Sequence, residues 1–223
     1  MKRFTLIALA VALMSAGANA NSIFINAGES PTFPPTFTLL ASGTSPLILP
    51  PTVCCGVADS FTIAASAVGT PPLPSGQLDT STIAVSASGP GTLFIWITET
   101  GITSPAGLVR VTSGLTDNLE QGAISGVTLA TFLDPSNGVA PPLGTLLDTF
   151  SFTHIGAQSN GVGLSAGGPY SLEALYEITA TGAGNVNLTI DMTAQPVAEP
   201  ATLILLGSAL LGLTRLRKRA AAV

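Results

Sequence analysis

The sequence predicts an all-β fold for the body of this chain: an antiparallel β-sandwich, jelly-roll-like. Three observations carry the prediction. Residues 170–180 and 186–192 alternate apolar and polar side chains with period two, the pattern of half-buried strands. The 24 Gly and 17 Pro fall between short runs rich in Val, Ile, Leu, Phe and Thr, which reads as strands divided by turns. No segment of the body has helical spacing with caps.

Taken in order, residues 22–27 read as a first strand, and Pro31, Pro34 and Pro35 separate it from a second at 37–41. Residues 42–58 read as a loop, with Pro46, Pro50 and Pro51 around Cys54 and Cys55. A strand at 60–68 is rich in β-branched and small residues, and Pro71, Pro72, Pro74 and Gly76 end it. Residues 82–87 and 92–98 flank Gly89-Pro90-Gly91 and read as a hairpin. In its second strand Leu93, Ile95 and Ile97 share one face, with Phe94 and Trp96 on the other. Further strands are expected at 124–132 and 146–153, divided by the turn signal Asp134-Pro135-Ser136-Asn137-Gly138. From Tyr170, residues Leu172, Ala174, Tyr176, Ile178 and Ala180 form one side. Gly182-Ala183-Gly184-Asn185 then reads as a turn into 186–192, making a closing hairpin.

The two ends have a different character. Met1-Lys2-Arg3, an apolar run at 4–14 and Ala18-Asn19-Ala20 form a secretory signal peptide, cleaved after Ala20. At the other end, Val197-Ala198-Glu199-Pro200 leads into an apolar run at 201–213 and then the basic cluster Arg215, Arg217, Lys218 and Arg219. Thirteen helical residues cover only about 20 Å of a hydrocarbon core of roughly 30 Å, so this is a marginal span. Basic residues beside a membrane segment stay in the cytoplasm, which places the body on the far side. The chain therefore divides into a signal segment (1–20, a helix), an exported β domain (21–196) and a tail (197–223) with a hydrophobic helix.

This tail resembles the PEP-CTERM sorting signal, with Ala198 standing where the first proline of Pro-Glu-Pro would be. The resemblance implies two processing partners, signal peptidase and an exosortase-like membrane protease. It also implies a transient inner-membrane intermediate, and then the cell surface of a Gram-negative bacterium that makes exopolysaccharide. The resemblance implies sorting only.

Charge narrows the function further. Within residues 21–196 Arg110 is the only cation, against eleven acids, a formal charge of −10. Such a surface excludes nucleic acid as a partner, because phosphate backbones require clustered Lys and Arg. It also argues against anionic membrane surfaces and acidic polymers.

Candidate chemistry is sparse. Cys54 and Cys55 are the only cysteines, adjacent in sequence and exported to an oxidising compartment. Neighbouring Cα atoms lie about 3.8 Å apart, so a vicinal disulfide needs a strained ring. Two reduced thiols and a bridge to another molecule are the alternatives. Two cysteines without histidine are not a zinc site, and no metal or cofactor is implied. His154 is the sole histidine. Asp148 and Ser151 lie near it, but Ser151 falls on the opposite strand face and no Gly-x-Ser-x-Gly elbow occurs. No catalytic residue is nominated and no enzyme activity is expected. Trp96, Phe94, Tyr170 and Tyr176 form either an aromatic platform for sugar rings or part of the core. The expected function is a structural or adhesive surface protein. The alternative is a lectin-like, glycan-binding module of the exopolysaccharide matrix, which an exposed aromatic strip near Trp96 would favour and a buried Trp96 would weaken.

Overall fold

The computed structural model describes residues 21–29, 37–55, 60–139 and 144–197. The signal segment with Ala18 and Ala20, the tail residues Ala198, Glu199 and Pro200, the hydrophobic helix and the basic cluster lie outside the described residues. Among the described residues there is no helix. The strands are β1 (Ser22–Gly28), β2 (Thr38–Thr44), β3 (Leu47–Cys54), β4 (Phe61–Val68), β5 (Gln77–Ala87), β6 (Gly91–Ile102), β7 (Gly107–Asp134), β8 (Thr145–Phe152), β9 (Gly156–Ala166) and β10 (Tyr170–Pro196). Every pairing is antiparallel.

Two very long strands organise the molecule. β7 and β10, of 28 and 27 residues, run side by side from Asp134 opposite Ser171 to Val109 opposite Pro196. Midway the ladder breaks: Ala180 faces Ile124 and Gly184 faces Gly122, so three residues of β10 oppose one of β7. An unequal count of this kind bends both strands. Gly122 takes φ 75°, where glycine has no steric penalty. The other edge of β10 carries β6 before the bend and β5 after it.

This corrects two expected hairpins. Residues 182–185 do not reverse the chain; β10 continues through them. β5 and β6 do not pair with each other but lie end to end along β10, with Ala87 opposite Gly184 and Gly91 opposite Ala180. Gly89-Pro90 takes this segment round the same corner that bends β7 and β10.

The result is one continuous sheet doubled over. Its first half has the order β2-β1-β6-β10-β7-β8, and its second half β3-β4-β5-β10-β7-β9. The halves face each other across a single apolar core. Ile25, Ile95, Ile97, Tyr176 and Leu129 come from the first half, and Phe61, Ile63, Val85, Leu188 and Val111 from the second. Two hydroxyl contacts cross the gap: Thr80 Oγ1 to Tyr176 Oη (3.4 Å), and Thr131 Oγ1 donating to Ser113 Oγ (3.1 Å). Satisfying core hydroxyls against each other limits the cost of burying them.

One strand, β3, lies where the sequence suggested a loop, and another, β9, where it indicated no element. β3 occupies part of 42–58; Pro50 and Pro51 fall at its register break between Leu49 and Thr52. Proline is tolerated there because β3 is an edge strand that loses no central ladder bond. β9 is rich in Gly, Ser, Asn and Gln, and it too is an edge, pairing with β7 alone.

Candidate functional site

The two outer faces of the folded sheet are chemically opposite. On the first half, Phe94 and Trp96 point away from the core yet remain buried. Trp96, 1% exposed, stacks on Phe132 with ring centroids 6.0 Å apart and meets Phe37 edge-on at 5.7 Å. Tyr170 and Tyr176 are fully buried. Of the two readings of these four aromatics, the core one holds: all four are buried in packing.

Two carboxylates are sealed into this half. Glu99, with no exposed surface, accepts at Oε1 from Asn21 Nδ2 (2.7 Å) and from the Thr70 backbone N–H (2.8 Å). It thereby ties the β4–β5 connection to the end of the sandwich. A Cβ at Gly69 would come within 2.6–2.7 Å of that carboxylate, so a larger residue there would push Glu99 out of its present place. Burial pushes Glu99 up to about 7, against the hydrogen bonds from Thr70 and Asn21. Glu173 lies between Thr98 and Phe132 on the outer side and is equally buried. Burial first, and then the charge of Asp134, raise it to about 7. For Asp134 burial pushes upward, but Ser136 Oγ and N–H and the Gly138 N–H (2.7–2.8 Å) outweigh it and hold the acid below its ordinary value. These are structural acids, and Glu173 lies on the side of β10 opposite Leu172 and Ala174, the side that a half-buried strand would turn to solvent. The signal that could have found its burial is the pair Phe94 and Trp96 on the second face of β6, which marks that side as covered as well.

The outer face of the second half is polar and exposed. A row runs straight across four strands: Asp79 on β5 opposite Asp191 on β10, Asp191 opposite Gly114 on β7, and Gly114 opposite Ser159 on β9. Thr116 and Thr189 pair in the adjacent row. The bare backbone at Gly114 leaves a shallow cavity of about 270 Å³, lined also by Ala157 and Gln158. Burial and then the facing Asp191 charge raise Asp79 above its ordinary value. Thr193 Oγ1 donates to Asp191 Oδ1 at 3.0 Å and fixes that carboxylate. Farther along, Asn118 Nδ2 bridges Asn187 Oδ1 (3.5 Å) and Thr189 Oγ1 (3.4 Å), and Ser86 Oγ donates to Asn185 Oδ1 (2.7 Å). The polar side of 186–192 was legible as Asn187, Thr189 and Asp191. The partners from β5, β7 and β9 were not, because pairing joins segments far apart in sequence.

The other singled-out residues fall elsewhere. His154 is exposed in the β8–β9 turn and lines a shallow depression with Glu120, Thr153 and Ile155. Ser151 instead shares a hydroxyl contact with Thr128 (3.3 Å). Val197, the one described residue of the sorting motif, donates its N–H to the Leu108 carbonyl at 2.9 Å and is exposed. Cys54 ends β3 and Cys55 follows it, with the two sulfurs 2.6 Å apart and Cys55 at φ 63°. They line a cleft of about 500 Å³ with Gly28, Glu29, Thr38, Leu40 and Val53.

No family model matches this chain, and no curated protein is similar to it. Among solved structures, it is similar to a carbohydrate-binding module solved with β-1,4-galactotriose, at 10% identity over 61% of this chain and 88% of that one, TM-score 0.32. It is similar to the xylan-binding domain of a Paenibacillus barcinonensis protein (9% identity, 70% and 99% covered, TM-score 0.31). A PA14 sugar-binding domain from an RTX adhesin is a third (11% identity, 80% and 93% covered, TM-score 0.34).

Proposed function

We propose that this chain is an exported, non-catalytic surface protein that binds uncharged polysaccharide through the outer face of its β5-β10-β7-β9 sheet. The observation that carries this reading is the row Asp79, Asp191, Gly114 and Ser159, in which Asp191 and Ser159 are exposed and Asp79 and Gly114 half-buried, with its cavity and flanking Thr and Asn side chains. Carboxylates accept paired hydrogen bonds from neighbouring sugar hydroxyls, and amide and hydroxyl side chains both donate and accept. A glycine floor admits a chain lying across the strands. The formal charge of −10 on residues 21–196 disfavours acidic polymers and leaves neutral ones.

The test is affinity electrophoresis of the protein through gels containing a panel of neutral and acidic polysaccharides. At least one neutral polymer is expected to retard the protein. The Asp79→Asn, Asp191→Asn double variant is expected to weaken that retardation at least tenfold while melting like wild type. Absence of retardation by every neutral polymer, or an unaffected variant, would overturn the reading.

Delivery rests on the termini. The signal segment directs export, and the PEP-CTERM-like tail holds the protein at the inner membrane until an exosortase-like protease releases it to the surface or matrix. Fractionation with and without exosortase tests this. A released form lacking a C-terminal piece near Glu199–Pro200 is expected, whereas an intact terminus retained in the membrane in both strains contradicts it.

A further inference from the structure

The cleft beside Cys54 and Cys55 lies at an open edge of the sandwich. β2 borders the first half of the sheet and β3 the second. The two edges meet at the Thr44–Leu47 connection, where Ser45 Oγ receives the Gly69 N–H (2.8 Å) and donates to the Gly69 carbonyl (3.1 Å). Toward the bend they part. Gly28, Glu29, Thr38 and Leu40 then form one wall, and Val53, Cys54 and Cys55 the other.

Both cysteines line this space and both pack partly against the core. Two neighbouring residues of a regular strand point to opposite faces. Here the strand ends at Cys54, and the left-handed conformation of Cys55 turns the second sulfur back to the side of the first. Residues other than Gly, Asn and Asp rarely adopt that conformation, so the backbone is held in an unusual state that brings the two sulfurs together. Neither histidine nor a third cysteine or acid completes a metal-binding group among the described residues.

We propose that Cys54 and Cys55 are a modification site, closed into a vicinal disulfide in the exported protein. Closure joins Cys54 Sγ to Cys55 Sγ in an eight-membered ring. The two thiols lose two protons and two electrons, and an external disulfide of the oxidising compartment accepts both and leaves as two thiols. The ring replaces two polar, reactive S–H groups with a compact apolar wall on the cleft. It also fixes the end of an edge strand whose Ile48 and Val53 side chains are exposed.

The proposal takes its oxidant from the export reading, so the experiment has two arms. In the first, purified full-length protein is reduced, treated with oxidised glutathione, denatured, and labelled with N-ethylmaleimide before intact-mass measurement. The ring predicts a monomer 2 Da lighter than the reduced chain, without glutathione adduct or label, that takes two labels after reduction. The Cys54→Ser variant should instead carry one glutathione or form a reducible dimer. Two labels without reduction, a stable glutathione adduct on the wild type, or a disulfide-linked dimer would overturn the ring. In the second arm, protein is trapped with N-ethylmaleimide directly from cells. Ring closure in that sample is the expected result. Closure in vitro together with fully reduced protein in cells would contradict closure in the exported protein and place the fault with export rather than with the geometry.

Discussion

Replacing Gly122 by valine is expected to destabilise the protein by several kcal/mol and to lower its melting temperature by about 10 °C. The residue stands at φ 75°, and a Cβ there would lie 2.5 Å from the Ala183 carbonyl oxygen and 2.8 Å from the Gly184 Cα. Those atoms belong to the partner strand's backbone at the bend, so no flexible side chain can yield. Gly163→Val is the matched control on the same sheet. Nothing lies within 4 Å of its added Cβ, and valine suits a strand. That variant is expected to melt within about 2 °C of wild type, since surface changes of this kind stay near ±0.5 kcal/mol. If Gly122→Val melts like Gly163→Val, β7 and β10 do not bend as described.

The second large effect is a loss of stability as pH rises from 4.5 to above 7. Glu99 and Glu173 have folded-state values raised from 4.5 to about 7. The folded protein therefore holds protons that the unfolded chain releases across this window. The stabilisation is fully present below pH 4.5 and is lost as pH passes through about 7. Each shift corresponds to an upper bound on the order of 3 kcal/mol. Asp134 acts in the opposite sense and only at lower pH, because its value is depressed below 3.8. Urea unfolding at pH 5 and pH 8 measures the difference. Glu99→Gln keeps an acceptor for Asn21 and Thr70 and cannot ionise, so it is expected to remove about half of the pH dependence and to be more stable than wild type at pH 8. Equal stability at the two pH values in wild type would contradict the buried, protonated state of these acids.

The sequence was most legible where one strand face is buried and the other is wet. β4 and β10 beyond its bend are of that kind, and their inward residues are the core; β6 and the start of β10 are covered on the second face too, although Leu93, Ile95 and Ile97 point inward as the alternation indicates. It was least legible where a local signal had two structural meanings. Gly182-Ala183-Gly184-Asn185 carries turn chemistry, yet the same small residues serve a bulge that bends a continuous strand. Gly89-Pro90-Gly91 likewise turns a corner rather than a hairpin. The edge strands β3 and β9 lacked the usual composition, because an edge tolerates proline and needs few large side chains. The candidate face was half visible, through Asn187, Thr189 and Asp191. Asp79, Gly114 and Ser159 join them only through the β5-β10-β7-β9 pairing, which spans more than a hundred residues. Of the two aromatic readings, core packing holds, and Trp96 sits between Phe37 and Phe132.

The most direct test of the binding face is a pair of backbone-amide NMR spectra of the isotopically labelled protein, with and without a neutral oligosaccharide cut from the polymer that retards it best. The account predicts concentration-dependent shifts centred on Gly114, Ser159, Thr189 and Asp191, with the amides around Trp96 unmoved. Shifts centred instead on the β2–β3 edge or on the Trp96 face, with the Gly114 row silent, would contradict it.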